Sequence, residues 1–268
     1  VGRRSMSHVD YSFVRRPKWV AGHIIVLIAV AVFINMGFWQ LRRLAERQDF
    51  NDRLIARTTV AEQPLDATLA RYGNSQDDLE LRIVAVTGTY RTVDEVILRA
   101  QSLNGISGHH VLTPLDLGDG RVLIVDRGWV PIDMDQPGQP EARPPAGVVD
   151  INAALRKTQV RGSFGPVDPA EGTLTQIARV DLARLGQQID GEIIPVFAQL
   201  LEQDPAQPGD LPALVPLPQP SEGSHRGYAV QWFLFAGVTI VGYPLLLRRT
   251  ADARSTSPAT PSRPSSGS

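Results

Sequence analysis

Two long uncharged stretches near the ends of this 268-residue chain constrain it more than anything between them. The first, Trp19–Trp39, reads WVAGHIIVLIAVAVFINMGFW and holds no Asp, Glu, Lys or Arg. His23 and Asn35 are its only strongly polar residues. As a helix it sets its two tryptophans about 30 Å apart, the thickness of a bilayer's hydrocarbon core, with an indole at each interface. A cleaved signal peptide would have a shorter apolar stretch and a small-residue cleavage site, and FWQLRRL offers none. The second stretch, Tyr228–Leu247, reads YAVQWFLFAGVTIVGYPLLL. It too is long enough to cross, and Pro244 is expected to loosen its last turn.

Two spans put both termini on one side. The tail 1–18 carries Arg3, Arg4, Arg15, Arg16 and Lys18, and the tail 248–268 carries Arg248, Arg249, Arg254 and Arg263. Short basic tails stay in the cytoplasm, so residues 40–227 are expected outside it, although Arg42, Arg43 and Arg47 follow the first span. The overall charge of −1 hides this asymmetry: residues 50–226 hold 24 Asp/Glu against 15 Lys/Arg, a net of −9. An acidic middle argues against nucleic-acid partners, while basic ends suit an anionic lipid surface. The absence of cysteine excludes disulfides, Cys-ligated zinc, iron–sulfur clusters and thiol nucleophiles. Val1 fits a bacterial non-AUG start, and with it the plasma membrane as the site of residence.

Residues 40–58 lack Gly and Pro, so the first span is expected to continue as a helix to about Arg57. Residues 59–202 read as short strands. LRIVAVTGTY alternates with Val84 and Val86 on one face and Ile83 and Ala85 on the other. EVILRAQ follows, and GHHVLTPLDL and RVLIVDRGWV are joined by the hairpin signal Gly118-Asp119-Gly120. GVVDINAALRKTQ and IIPVFAQLLEQ read as further strands, and DLARLGQQI as a helix with Leu182, Leu185 and Ile189 on one face. The predicted class is a membrane α+β protein. Two transmembrane helices, 19–39 and 228–247, flank an antiparallel sheet or small barrel with one or two helices packed on it. Residues 203–227 form a Pro-rich return arm, and the tail 248–268 is expected to be disordered.

No catalytic constellation stands out, and an enzyme is not expected. The five histidines make no metal-binding pair on a helix, and there is no nucleophile elbow or Walker loop. Asp116, Asp119, Asp126, Asp133 and Asp135 read as turn residues. His109 and His110, adjacent in a strand, should point to opposite faces, one buried and one solvated. The unusual residues cluster where the two spans end. Trp39, Gln40 and Arg43 close the first, and Glu222, His225, Tyr228, Gln231 and Trp232 open the second. The aromatics suit an interfacial belt, but Gln40 and Gln231 need hydrogen-bond partners, either each other or another protein's helix. His225 reads either as a solvated interfacial histidine or as a ligand for haem iron, with Arg43 or Arg226 pairing the propionates.

These clusters, in this order, resemble the surfeit locus protein 1 family, assembly factors of haem-A-containing cytochrome c oxidase. FINMGFWQLRRLAER, LRIVAVTGTY, GHHVLTPLDLGDGRVLIVDRGWVP, TLTQIARVDLARLGQQ and PLPQPSEGSHRGYAVQWFLFAGVTIVGYPLLLRR carry the resemblance, which covers most of residues 33–249. Asp126 stands where the family commonly has Asn, and Arg226 where an apolar residue is common. The resemblance implies a chaperone with no required cofactor, haem A being the candidate transient ligand. Its implied partners are oxidase subunits, foremost the haem-containing catalytic one, besides the lipid bilayer. Arg127, Gly128, Trp129 and Pro131 read either as a contact surface or as an internal turn with Trp129 in the core. Two alternatives stand beside this reading: a lasting structural partner of a respiratory oxidase or supercomplex, and a two-span sensor or polysaccharide chain-length regulator, which would need long coiled-coil helices outside the membrane.

Overall fold

A computed structural model describes residues 11–163 and 165–255. In chain order the elements are α1 (Pro17–Thr58), β1 (Gln63–Pro64), α2 (Leu65–Tyr72), α3 (Gln76–Leu79), β2 (Ile83–Tyr90), β3 (Val96–Leu103) and β4 (Ile106–Asp116). There follow β5 (Arg121–Pro131), β6 (Val148–Lys157), β7 (Gln176–Ile177), α4 (Leu182–Leu185), β8 (Glu192–Ile193), β9 (Val196–Asp204) and α5 (His225–Ser255). They form two compact units. One comprises the described residues up to Asn51 and from Ser221 onward, the other Asp52–Pro220.

The first unit is a pair of helices. With no Gly or Pro in residues 40–58 to stop it, α1 runs unbroken from the first apolar stretch through the polar extension. Both α1 and α5 are long and apolar enough to cross a membrane, and only 6% of the most apolar window of each is buried. That exposure distinguishes them from the core helices of a soluble protein. Helix α5 passes through Pro244 and continues to Ser255, so residues 248–255 of the expected disordered tail are helical. Arg248, Arg249, Ala251, Ala253 and Arg254 are good helix formers, and the Arg254 guanidinium packs 4.4 Å over the Phe13 ring. The rest of that tail, 256–268, and residues 1–10 lie outside the described residues.

The second unit is a sheet closed on itself. The strands pair in the order β2-β6-β9-β5-β4, and β4 returns to β2 through Thr89↔Asp116 and Tyr90↔Leu115. Five strands thus make a small ring, extended by β3 on β4. The sheet is mixed, which corrects the antiparallel expectation: β5 and β9 pair in parallel, as do the short strands β1, β7 and β8 with their neighbours. The long connection after β5 lets the chain return and insert β9 between β6 and β5 in the direction of β5. Alternate residues fill the ring, among them Val84, Val86, Leu123, Val125, Ile151, Leu155 and Ala198. The opposite face of β5, Val122 and Ile124, packs with Leu112 against Leu182, Leu185 and Ile189, the three residues expected on one helical face. Strand β5 is apolar without alternation over Val122–Val125 because it is covered on both sides. Long coiled-coil helices, which a chain-length regulator would need, do not occur among the described residues 59–220.

Cover on both faces also corrects the histidine expectation, since His109 and His110 are both only 8% exposed. His110 Nδ1 donates to Asp126 Oδ2 at 2.8 Å, and the Gly128 amide donates to Asp126 Oδ1 at 3.1 Å. Asp126 is therefore a buried strand residue, whereas Asp116 and Asp119 do cap the hairpin turn.

Where the ring closes, Tyr90 donates from its hydroxyl to Gln203 Oε1 at 3.0 Å, and burial pushes its phenol up to about 12. The folded chain holds this proton after the unfolded chain has lost it. Stability from Tyr90 is therefore full below pH 10 and is lost as pH rises toward 12, by about 2–3 kcal/mol. Urea unfolding of the sheet signal from pH 9 to 12 is expected to show this loss, and Tyr90→Phe to flatten it.

Candidate functional site

In the helical unit, α1 presents Gln40, Arg47, Gln48 and Asn51, spaced so that they fall along one stripe of the helix. The stripe grips the segment that leads into α5. Arg47 Nε donates to the Ser221 carbonyl at 2.9 Å, Gln48 Nε2 to Glu222 Oε1 at 3.0 Å, and the Ser221 amide to Asn51 Oδ1 at 3.3 Å. At the head of α5, His225 Nδ1 meets Gln40 Oε1 at 2.9 Å. A carboxamide oxygen only accepts, so Nδ1 carries the proton and Nε2 of the neutral ring presents a lone pair. Gln40 is 9% exposed, and this bond satisfies its buried oxygen.

Below this point the helices pack by aromatic and small residues. Phe33 stacks on Trp232 with centroids 5.8 Å apart, and Phe38 meets Phe233 edge-on at 5.4 Å. Gly37 makes room for that ring: a Cβ there would lie 2.7 Å from Phe233 carbons. Ala229 and Ala236 are buried in the same seam. A second polar contact joins the other ends of the pair, where the Tyr243 hydroxyl donates to His23 Nδ1 at 2.6 Å and His23 Nε2 donates to the Val14 carbonyl at 3.1 Å.

The expected meeting of Gln40 with Gln231 does not occur. Gln231 is exposed and lies about 120° around α5 from the line of Ala229, Trp232 and Ala236, because successive helical residues are set about 100° apart. Trp39 and Tyr228 are 40% and 50% exposed, so they face outward from the pair, while Trp232 is half-buried in it. Arg43 pairs with Glu46 at 2.8 Å and lies 6.0 Å over Trp39; Arg226 and Glu222 are exposed. Sequence reasoning missed Arg47, Gln48, Asn51 and Gly37. The signal for the first three was the helical spacing of polar residues in the extension.

In the sheet unit, Arg127 and Gly128 are buried within β5. Arg127 is 1% exposed. Its Nη1 faces Glu95 Oε2 at 3.3 Å, and its Nη2 donates to the Ala142 carbonyl at 2.9 Å and to Gln207 Oε1 at 2.8 Å. Thr113 Oγ1 and the Gly138 amide also donate to Glu95, each at 2.8 Å. Gly128, at φ 126°, lets the Ala213 carbonyl approach where a Cβ would collide, and Trp129 exchanges both backbone hydrogen bonds with Ala213. Trp129 and Pro131 are half-buried. Burial pulls the Arg127 guanidinium below its ordinary value, and Glu95 and Tyr90 oppose this. Arg127→Ala leaves the Glu95 carboxylate buried without its counter-charge and is expected to cost about 3–5 kcal/mol, read as a lower thermal unfolding midpoint of the purified chain.

The comparisons with known proteins bear on the whole of this architecture. The SURF1 family matches residues 27–237, which take in most of α1, the entire sheet unit and the first part of α5. An uncharacterized SURF1-like protein of Mycobacterium bovis is 26% identical over 233 residues, 86% of this chain and 84% of its own. A SURF1-like protein of Caenorhabditis elegans is 25% identical over 245 residues, 84% and 73% of the two chains. Surfeit locus protein 1 of Xenopus tropicalis is 26% identical over 268 residues, 92% and 83% of the two chains. With a match that begins inside α1, runs through every strand and ends inside α5, the chain belongs to the SURF1 family.

Proposed function

We propose that this chain is a membrane-anchored assembly factor for haem-A-containing cytochrome c oxidase, acting as a chaperone rather than an enzyme. The observation that carries the reading is the family match that runs from α1 through the whole sheet unit into α5. In this reading α1 and α5 cross the plasma membrane, both termini are cytoplasmic, and residues 59–202 lie outside. The short basic tails support that orientation. Protease treatment of intact cells is expected to spare tags at both termini; digestion of both would reverse the orientation.

The residues at the head of α5 fit a haem guest. Gln40 fixes the Nδ1–H form of His225 and leaves Nε2 as the donor atom an iron requires. Arg226 is exposed one residue away, and the Arg43–Glu46 pair is exposed and readily exchanged, so both guanidiniums are free to reach propionates. Haem A would supply the iron; this chain would hold and orient it. The exposed faces of Trp39, Tyr228 and Gln231 offer aromatic surface and an amide to a helix of the catalytic subunit.

Deleting the gene is expected to lower haem A absorbance and oxidase activity in membranes; normal values of both would overturn the assembly role. The purified chain is expected to give a Soret band with haem A that His225→Ala largely abolishes. Gln40→Leu should weaken haem affinity about 10–100-fold without abolishing it, as loss of an orienting partner does. An unchanged band in His225→Ala removes that residue as the ligand.

A further inference from the structure

The sheet unit contains a positively charged recess that nothing above uses. Its volume is about 140 Å³, and Arg57, Arg71, Arg82, Tyr72, Thr68 and Gln63 contribute to its wall. Three arginines together run against the composition of residues 50–226, where carboxylates outnumber basic groups by nine.

Arg57 and Arg82 are positioned by backbone carbonyls rather than by carboxylates. Arg57 Nη1 donates to the carbonyls of Asp77 and Glu80, both at 2.7 Å, and Arg82 Nε donates to the Asp78 carbonyl at 2.6 Å. These acceptors are dipoles and bring no net charge. The Arg82 guanidinium lies 3.5 Å over the Tyr72 ring, and Arg71 lies 5.3 Å over the same ring. Among the described residues, none of the three takes part in the ion pairs of the sheet unit. The Asp77 carboxylate on α3 is engaged by Lys157 at 2.9 Å. Burial pulls Arg82 below its ordinary value; Tyr72 and Asp78 oppose this, and the like charges of Arg57 and Arg71 add to it.

We propose that this recess is an oxyanion site that takes a phosphate-class dianion, gripped by Arg71 and Arg82 with Arg57 as the third cation. Guanidinium forks match phosphate oxygens in pairs, and three cations suit a dianion better than a single carboxylate. The volume admits one such group and excludes a tetrapyrrole, so the site is independent of the haem reading. Two sources share this chemistry, inorganic phosphate and the phosphomonoester headgroup of a lipid.

The test is calorimetric titration of the full-length chain in zwitterionic detergent, in phosphate-free buffer at fixed ionic strength. Inorganic phosphate is expected to bind saturably at one site per chain, more tightly than acetate. Arg71→Ala and Arg82→Gln should each weaken it at least tenfold. Arg71 is exposed, so Arg71→Ala should leave the unfolding midpoint without phosphate unchanged and separates lost binding from lost fold. Competition by nanodiscs containing phosphatidic acid, but not by pure phosphatidylcholine discs, assigns the site to lipid; no competition assigns it to free phosphate. Absence of saturable binding, tighter binding of acetate, or unchanged affinity in both variants overturns the proposal.

Discussion

Two histidines clip the helical pair at its ends, and the rest of that unit depends on where they sit. His23 and Gln40 are 17 residues apart on α1, and their partners Tyr243 and His225 are 18 apart on α5. At 1.5 Å per residue both intervals are about 25–27 Å, so the two contacts fit one antiparallel register. Between them the seam is aromatic and small, with Gly37 under Phe233 and the alanines 229 and 236 buried. In the proposed bilayer, apolar side chains gain little by leaving lipid for one another. Close packing and interhelical hydrogen bonds must then choose the register.

Arg127 does the corresponding work in the sheet unit. A guanidinium that is 1% exposed carries a large desolvation cost, offset only because its neighbours close around it. Those neighbours come from distant stretches of sequence: Glu95 before β3, Ala142 in the loop after β5, and Gln207 in the Pro-rich arm. The arm is therefore no passive spacer. It is tied to β5 at Arg127 and again at Trp129, whose backbone pairs with Ala213. A segment containing Pro205, Pro208 and Pro212 has few amide donors of its own, so it is held largely by side chains and by one short backbone bridge.

What could be read from the sequence was what depends on period and punctuation. The unbroken α1, the Gly118-Asp119-Gly120 hairpin, the Val84/Val86 face of β2 and the Leu182/Leu185/Ile189 face all follow from local spacing. Insertion of β9 between β6 and β5 does not, because pairing across some sixty residues of chain leaves no local trace. The burial of both His109 and His110 was hidden for the same reason: the cover over the second face of β4 includes residues of the remote 174–189 segment. Gln40 and Gln231 were legible as amides in need of partners, but not as separate cases. Setting α5 on a 100° wheel divides them, since it places Gln231 away from Trp232 and Ala236 while His225 stays in line with both.

The haem reading gains from how unequally the grip on residues 221–225 is built. The Arg47–Ser221 and Gln48–Glu222 contacts are exposed to solvent, where such bonds exchange readily with water or a competing partner. The Gln40–His225 bond lies deeper, at the buried amide. A partner that displaced the outer contacts would loosen Glu222 and the Ser221 carbonyl first, leaving the Ser221 amide on Asn51 and the imidazole oriented by Gln40. The ligand geometry would then survive the moment at which a partner helix docks, which is what delivery of a guest from one protein to another requires.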